Sequence, residues 1–293
     1  MSPLWGRREF LGMLAASAFA GTARAKQTPR IAAIDWAMLE TSVALGVMPV
    51  AATELIQFRA GAVEPDIPES VADLGLRGAP NFELLQLTRP DLILISPFYT
   101  RYTGRLEAIA PVFSLPFYVK GEPPFEKALA AVTALGEKLG RTDEARKVLI
   151  ETDAAMQAMR TRLAGFSARP TYVINIGDAR HFRAFGADSM FGDILSRLGL
   201  ANAWVDRSQF TFAAPVPLEN LAASPEARIV IVSDIPVEAR EGLRNSAIWR
   251  ALPAVRQGRV VTLGNVGPYG GITAGMRFAR LLTEALTAQG EAL

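Results

Sequence analysis

Between Thr142 and about Phe166 the chain has no proline, and no glycine before Gly165, and its apolar residues recur at helical spacing. Ala145, Val148, Leu149, Ala155, Met156, Met159 and Leu163 fall mostly three or four apart, with Arg146, Lys147, Glu151, Asp153, Arg160 and Arg162 between them. That period predicts one long helix with an apolar stripe. Thr142 reads as its N-cap, Asp143 and Glu144 lie at the positive end of the helix dipole, and Arg160 and Arg162 lie at the negative end. At ~1.5 Å per residue it would span roughly 35 Å, about the width of a small domain. A strand and helix alternation of domain size flanks it on each side, so it reads as a beam joining two lobes. An ordinary helix inside a single α/β domain is the alternative.

Before the beam, Arg30 to Asp35 reads as a buried strand, Met38 to Leu45 as a helix stopped by Gly46, and Val50 to Ala52 as a second strand. Glu64 to Pro68 must be loop, because it holds two prolines. Asn81 caps a helix that runs to Leu87 and ends before Pro90, and Asp91 to Ile95 is a strand. A helix from Thr103 to Ala110, a strand from Val112 to Leu115 and a helix from Phe125 to Leu139 lead into the beam. After Gly165 the same order returns. Strands are expected at Thr171 to Ile176, His181 to Phe185, Arg228 to Val232 and Arg259 to Leu263. Helices are expected at Ser189 to Leu198, closed by Gly199, at Pro217 to Ala223 and at Met276 to Ala288. The expectation is an α/β protein of two Rossmann-like lobes with mainly parallel sheets, joined by one long backbone helix. The boundaries read as 1–25 for a leader, 26–141 for the first lobe, 142–165 for the helix and 166–293 for the second lobe.

The leader changes the charge picture. Arg7-Arg8-Glu9-Phe10-Leu11 opens an apolar run to Ala20, and Ala23-Arg24-Ala25 offers a cleavage site, the pattern of a twin-arginine export signal. The run is too short to span a bilayer. The chain has 31 basic and 29 acidic residues, and cutting after Ala25 removes Arg7, Arg8, Arg24 and Glu9, which leaves equal numbers. A neutral mature chain gives no reason to expect nucleic acid or an anionic membrane surface as partner. With no cysteine and one histidine there is no disulfide, thiolate metal site or acylated cysteine. A periplasmic monomer is expected.

Open parallel sheets hold ligands outside the carboxyl ends of their strands. The loops there are aromatic and carry a cation: Trp36 after the first strand, Arg77 in Gly75 to Gly78, and Phe98, Tyr99 and Tyr102 after the Asp91 strand. Phe210, Phe212 and Tyr269 hold the matching places in the second half. Each aromatic taken singly also fits a core or rim role, and the shared location after strands is what favours a site.

Gly75-Leu76-Arg77, then Asn81 to Leu85 leading into Arg89 to Ile93, resembles the first lobe of the helix-linked periplasmic binding proteins of siderophore and cobalamin importers. Phe185 to Ser189, with Ile194-Leu195 and Leu198-Gly199, resembles their second-lobe helix. Within that family the chain is similar to the ferric-hydroxamate (ferrichrome-type) binders from about Arg30 onward, through Ile34-Asp35-Trp36, Asn202-Ala203-Trp204 and Tyr269-Gly270. The resemblance implies capture of a ferric hydroxamate siderophore and its delivery to an inner-membrane ABC permease, with no resident cofactor and the iron held by the siderophore. It implies Arg77 and Tyr99 as hydroxamate contacts, with aromatic rings covering the siderophore skeleton. A guanidinium fork and a phenol O–H suit oxygens that keep partial negative charge on Fe³⁺.

The chain departs from that pattern where ferrichrome binders carry cleft tryptophans, having Gly61, Thr211 and Gly267 instead, so a wider or reshaped pocket is expected. The family docks on its permease through one acidic residue per lobe. Glu219 matches the second-lobe position, whereas the first-lobe match falls on Gly104 with Glu107 as a substitute one turn later. A haem or cobalamin carrier of the same fold, or an exported enzyme, remains as the alternative. Asp178 and His181 lie close together, but no nucleophile elbow, phosphate loop or two-histidine metal motif accompanies them.

Overall fold

The computed structural model describes residues 28–206, 208 and 212–290. The leader at 1–25, Phe210 and Thr211 lie outside the described residues.

Among the described residues, ten strands form two five-stranded sheets. The first contains β1 (Ile31–Ala33), β2 (Ala51–Ala52), β3 (Ala72–Asp73), β4 (Leu92–Ile95) and β5 (Val112–Ser114), ordered β3-β2-β1-β4-β5 and parallel throughout. The second contains β6 (Thr171–Ile176), β7 (His181–Ala184), β8 (Ala213–Pro217), β9 (Arg228–Ile231) and β10 (Val260–Thr262), ordered β10-β9-β6-β7-β8. Its β10-β9-β6 portion is parallel and its β6-β7-β8 portion antiparallel. The expectation of mainly parallel sheets therefore holds, with a mixed second sheet.

The helices are α1 (Trp36–Ala44), α2 (Leu55–Gly61), α3 (Phe82–Leu87), α4 (Thr103–Glu107), α5 (Phe125–Leu139) and α6 (Thr142–Arg162). They continue with α7 (Met190–Arg197), α8 (Val237–Asn245), α9 (Ala247–Ala251), α10 (Pro253–Arg256) and α11 (Ile272–Gly290). None of the described helices is long and apolar enough to cross a membrane.

Strand periodicity divides the core. Ile31, Ala33, Leu92 and Leu94 face one way and Ala32, Ile34, Ile93 and Ile95 the other, as a two-residue repeat requires. In the second sheet Val173, Val230 and Val232 face inward, whereas Ile174, Ile229 and Ile231 face the α8 to α10 side. Residues of α1, α5, α7 and α11 join the inward faces of both sheets into one continuous cluster. These strands are buried on both faces, which explains their unbroken apolar runs.

The long helix α6 has 21 residues and packs on α5 and α11. Its start differs from expectation: Thr142 is the first helical residue, Arg141 holds the cap position, and no side chain caps the end. The Arg141 guanidinium instead bonds Glu144 Oε1 at 2.8 Å. At the turn before it, Gly136 of α5 lies so close to α6 that a Cβ would meet the Ala145 Cβ at 2.7 Å. The expected helix after Pro217 is a 3₁₀ turn from Leu218 to Ala223.

One buried carboxylate ties the beginning of the chain to its end. Glu40 of α1 is fully buried, and its Oε2 accepts from Gly271 N at 2.7 Å and Ala274 N at 3.0 Å, the open donors at the start of α11. A Cβ on Gly270 would stand 2.3 Å from that carboxylate, so only glycine fits. Burial pushes the Glu40 pKa up to about 8, against the pull of the two backbone donors, with Asp35 and Glu64 adding repulsion. Burial also raises Asp35.

A carboxyl that keeps its proton more tightly when folded stabilises the fold at low pH. Stability should therefore fall as pH rises from the ordinary glutamate range towards about 8, by up to about 1.4 kcal/mol per pH unit for one group. Glu40→Gln keeps an acceptor for both donors and cannot titrate. Urea unfolding at mildly acidic and mildly alkaline pH should show a smaller loss for this variant than for the parent, and equal losses would mean that Glu40 is not the titrating group.

Candidate functional site

The first sheet places its contribution at the carboxyl ends of four neighbouring strands: Trp36 after β1, Glu54 after β2, Arg77 after β3 and Tyr99 after β4. β1 lies between β2 and β4, where the strand order reverses direction, the position that gives an open sheet its crevice. Trp36 is fixed by its Nε1, which donates to Thr53 O at 3.0 Å, and by an edge contact to Phe58 at 5.2 Å. Asp35, just before it, caps α1 through Ala37 N and Met38 N and receives the Ser96 hydroxyl at 2.7 Å.

Arg77 is held at two points by one carboxylate. Its backbone N–H donates to Glu54 Oε1 at 3.0 Å and its Nε to Oε2 at 2.6 Å. Glu54 itself sits in the left-handed region at φ 52°, a conformation that non-glycine residues adopt at some cost. The guanidinium carbon lies 4.0 Å above the Trp36 ring and 5.6 Å from the Tyr269 ring. Such stacking contributes about 0.5–2 kcal/mol and leaves the guanidinium edge open. Because Glu54 uses Nε and the main chain, the two terminal nitrogens are left for the Tyr99 hydroxyl and the cleft. Burial raises the Tyr99 pKa, Asp35 and Glu54 raise it further, and Arg77 only partly offsets them. The phenol therefore stays a neutral O–H donor.

The second half supplies the other wall. The Tyr269 ring lies 6.3 Å from Tyr118 and 6.2 Å from Phe212, and Phe212 lies 6.1 Å from Phe185. Burial raises the Tyr269 phenol, with both Arg77 and Arg183 opposing. A cavity of about 170 Å³ opens beside this cluster, lined by Trp36, Gly61, Asn175, Arg183, Phe212 and Gly267 among others. Gly61 and Gly267, two of the positions where cleft tryptophans were missing, thus bound it, and a Cβ on Gly61 would meet nothing within 4 Å.

Of the residues singled out from the sequence, Arg77, Tyr99, Trp36, Tyr269 and Phe212 come together. Phe98 is 58% exposed on the same 3₁₀ turn as Tyr99. Tyr102 is set apart: its hydroxyl donates to Gly78 O, its ring packs 5.8 Å from Phe82, and it lines a separate hollow with Asn81 and Arg105. Glu54 and Arg183 were missed. Arg183 carried a faint signal, since it alternates with Phe182 and Ala184 on a strand whose other face is core. The Asp178 carboxylate accepts from the backbone of Arg180 and His181 and lies 3.2 Å from the His181 ring, a turn into β7 as expected. Among the described residues, the hollow beside that pair is lined by no serine, threonine or cysteine. Among the described residues no cluster of three or more histidine, cysteine, aspartate or glutamate side chains could hold a metal ion.

The family model described as periplasmic binding protein matches residues 31–266. The chain belongs to the periplasmic binding protein family. It is 30% identical over 289 residues to the iron(3+)-hydroxamate-binding protein FhuD of Escherichia coli (strain K12), with 97% of each chain covered. The crystal structure of the Fe3+–Desferal-bound siderophore-binding protein FhuD from Vibrio cholerae is similar at TM-score 0.84 and 26% identity, covering 89% of this chain and 98% of that one. Staphylococcus aureus SirA shares the fold at TM-score 0.67 and 23% identity, over 88% of this chain and 98% of its own. The Arg77 cluster stands at the crevice where the strand order of the first sheet reverses.

Removing the Glu54 carboxylate should free Arg77 and cost the fold about 1.5–3 kcal/mol, the range for hydrogen bonds to a charged group. Urea unfolding of Glu54→Ala at unchanged m value checks this. A change within about 0.5 kcal/mol, the size of an ordinary surface substitution, would show that the pair does not organise the site.

Proposed function

We infer that the chain captures a ferric hydroxamate-type siderophore in the cleft at the carboxyl ends of the two sheets and hands it to an inner-membrane ABC permease. The observation that carries this reading is the Arg77 fork, tethered by Glu54 and stacked on Trp36, with the Tyr99 phenol beside it. Metal-bound hydroxamate oxygens keep partial negative charge and accept well from a fixed guanidinium and a neutral phenol. Trp36, Phe212 and Tyr269 offer apolar surface to the organic part of the complex. Iron arrives already coordinated and is cargo. The likeness to two hydroxamate-binding relatives supports the same reading. The protein works outside the cytoplasmic membrane as a monomeric carrier, not as an enzyme, its lobes spanning 26–141 and 166–293 around the 142–165 helix. Permease docking falls to Glu219 on the Leu218–Ala223 turn and Glu107 at the end of α4, both exposed and, among the described residues, without an ion pair.

A ferric hydroxamate should quench tryptophan fluorescence of the mature chain saturably through Trp36. Arg77→Ala should weaken binding roughly 10- to 150-fold, corresponding to about 1.5–3 kcal/mol. Tyr99→Phe removes one neutral donor and should weaken it several-fold, by about 1 kcal/mol. Folded variants that titrate like the parent would rule out recognition through these residues. Quenching by haem or cobalamin alone would keep the fold and replace the ligand.

Reversing Glu219 to Lys should leave siderophore affinity as it is and impair uptake in cells that depend on this protein, because attraction at the permease becomes repulsion. Undiminished uptake would make Glu219 an ordinary solvated charge. Glu107→Lys should have a smaller effect.

A further inference from the structure

The two arginines of the cleft differ in one respect. Arg77 already has a counter-charge, Glu54 at 2.6 Å, before any ligand arrives. Arg183 has no ion pair among the described residues. It is exposed on β7 directly across from Asn175 of β6, and its guanidinium carbon lies 5.0 Å from the Phe212 ring. The nearby Asp178 carboxylate is engaged by two backbone donors and by His181. Arg183 and Asn175 line the cavity together with Trp36 from the opposite wall, and Gly61 leaves that wall bare. The unmatched positive charge of the cleft therefore stands on the second sheet, facing open space beside the Arg77 cluster.

Coordination chemistry gives that charge a meaning. Three hydroxamate monoanions neutralise Fe³⁺, so a trihydroxamate core carries no net charge and asks for one set of donors. Replacing one hydroxamate by a doubly deprotonated α-hydroxycarboxylate makes the core anionic, and any uncoordinated carboxylate adds to it. We propose, resting on the siderophore reading above, that Arg183 is a second anion contact and that the preferred ligand is a net-anionic ferric siderophore combining hydroxamate with carboxylate groups. Arg77 and Tyr99 take the metal-bound oxygens, while Arg183 takes a carboxylate on the far side. The Tyr269 ring lies 5.6 Å from the Arg77 guanidinium carbon and 6.2 Å from the Phe212 ring that Arg183 covers.

The test is a set of fluorescence titrations of the mature chain with two probes: ferric schizokinen, an anionic citrate-dihydroxamate complex, and ferric ferrichrome, a neutral trihydroxamate. The parent should bind ferric schizokinen more tightly, and the preference should shrink as salt is added. Arg183→Gln should lower affinity for ferric schizokinen at least about tenfold more than for ferric ferrichrome, and Arg183→Lys should restore most of the difference. Equal losses for the two probes, or an unaltered ratio, would reduce Arg183 to a cover for Phe212 and overturn the proposal. Binding of both probes with a ratio indifferent to Arg183 leaves the hydroxamate reading intact, whereas a parent that binds neither removes both.

Discussion

Strands that are apolar on both faces must be covered twice, and here the two sheets share one of their covers. Helices α1, α5, α7 and α11 fill the space between the inward faces in a single core. The last of these comes from the C-terminus yet packs on α1 and α5 beside the first sheet. The start of α11 is consequently a structural necessity, and its free backbone donors must be met inside the core, where an unmet donor costs about 1–3 kcal/mol. Glu40 meets two of them. Tyr269 is placed just before Gly270 and Gly271, so the bond that seats the last helix also fixes the ring that faces Arg77. Core and site are thus positioned by the same contact.

The electrostatics of the first wall follow from how a cation is kept in a half-buried place. An unpaired charge removed from water is costly, and a lysine in such a place would tend to lose its proton. An arginine keeps its charge, and its Nε can be surrendered to Glu54 while the planar face rests on Trp36. Both Glu54 and Arg77 follow strands only two residues long, β2 and β3. Parallel pairing of β2 and β3, Ala51 with Ala72 and Ala52 with Asp73, sets their departing loops side by side. Asp73 then accepts from Leu55 N and from Gly75 N, which directs both loops towards the crevice. The donor fork is preorganised by backbone geometry, so little side-chain freedom remains to be lost on binding.

How much of this could be read from the chain depends on whether the deciding contact is local. Phe125 to Leu139 is found at its full length because its period is strong and Gly140, in the left-handed conformation, ends it. Asn81 is found because capping is a contact of three residues, to Leu84 N. Helix α2 and strand β3 escape notice because they are short and, for β3, half-buried, leaving no period to detect. Strand β8 hides behind Pro215, which an edge strand tolerates and a central one does not. The antiparallel course of β7 is a matter of pairing, to which residue types along one strand are blind. In the site, Arg77 and Tyr99 were legible through a resemblance and Trp36 through its place after a strand. Glu54 was not, since its partner lies 23 positions away. Arg183 passed as the solvent-facing residue of a strand, because alternation tells which face a residue occupies and not what that face looks onto.

The same contacts bear on motion. A cleft between two sheets closes only if something yields, and a single helix crossing lacks the freedom of a pair of extended linkers, because bending α6 breaks its backbone bonds. Here the shared core adds a second restraint, since separating the sheets would expose α11 on one side or the other. A third lies at the cleft wall, where Asn265 Nδ2 bonds Ala60 O at 3.1 Å and Gly267 sits so near Ala62 that a Cβ would meet it at 3.3 Å. Arg277 and Arg280 of α11 both grip Glu64, in the loop that follows α2. With helix, core and wall all joined, the site offers a ligand a nearly finished shape. Under the proposal above, discrimination then rests on which charges and volumes fit that shape as it stands, with the bare wall at Gly61 and Arg183, which has no ion pair among the described residues, as the features that would set it.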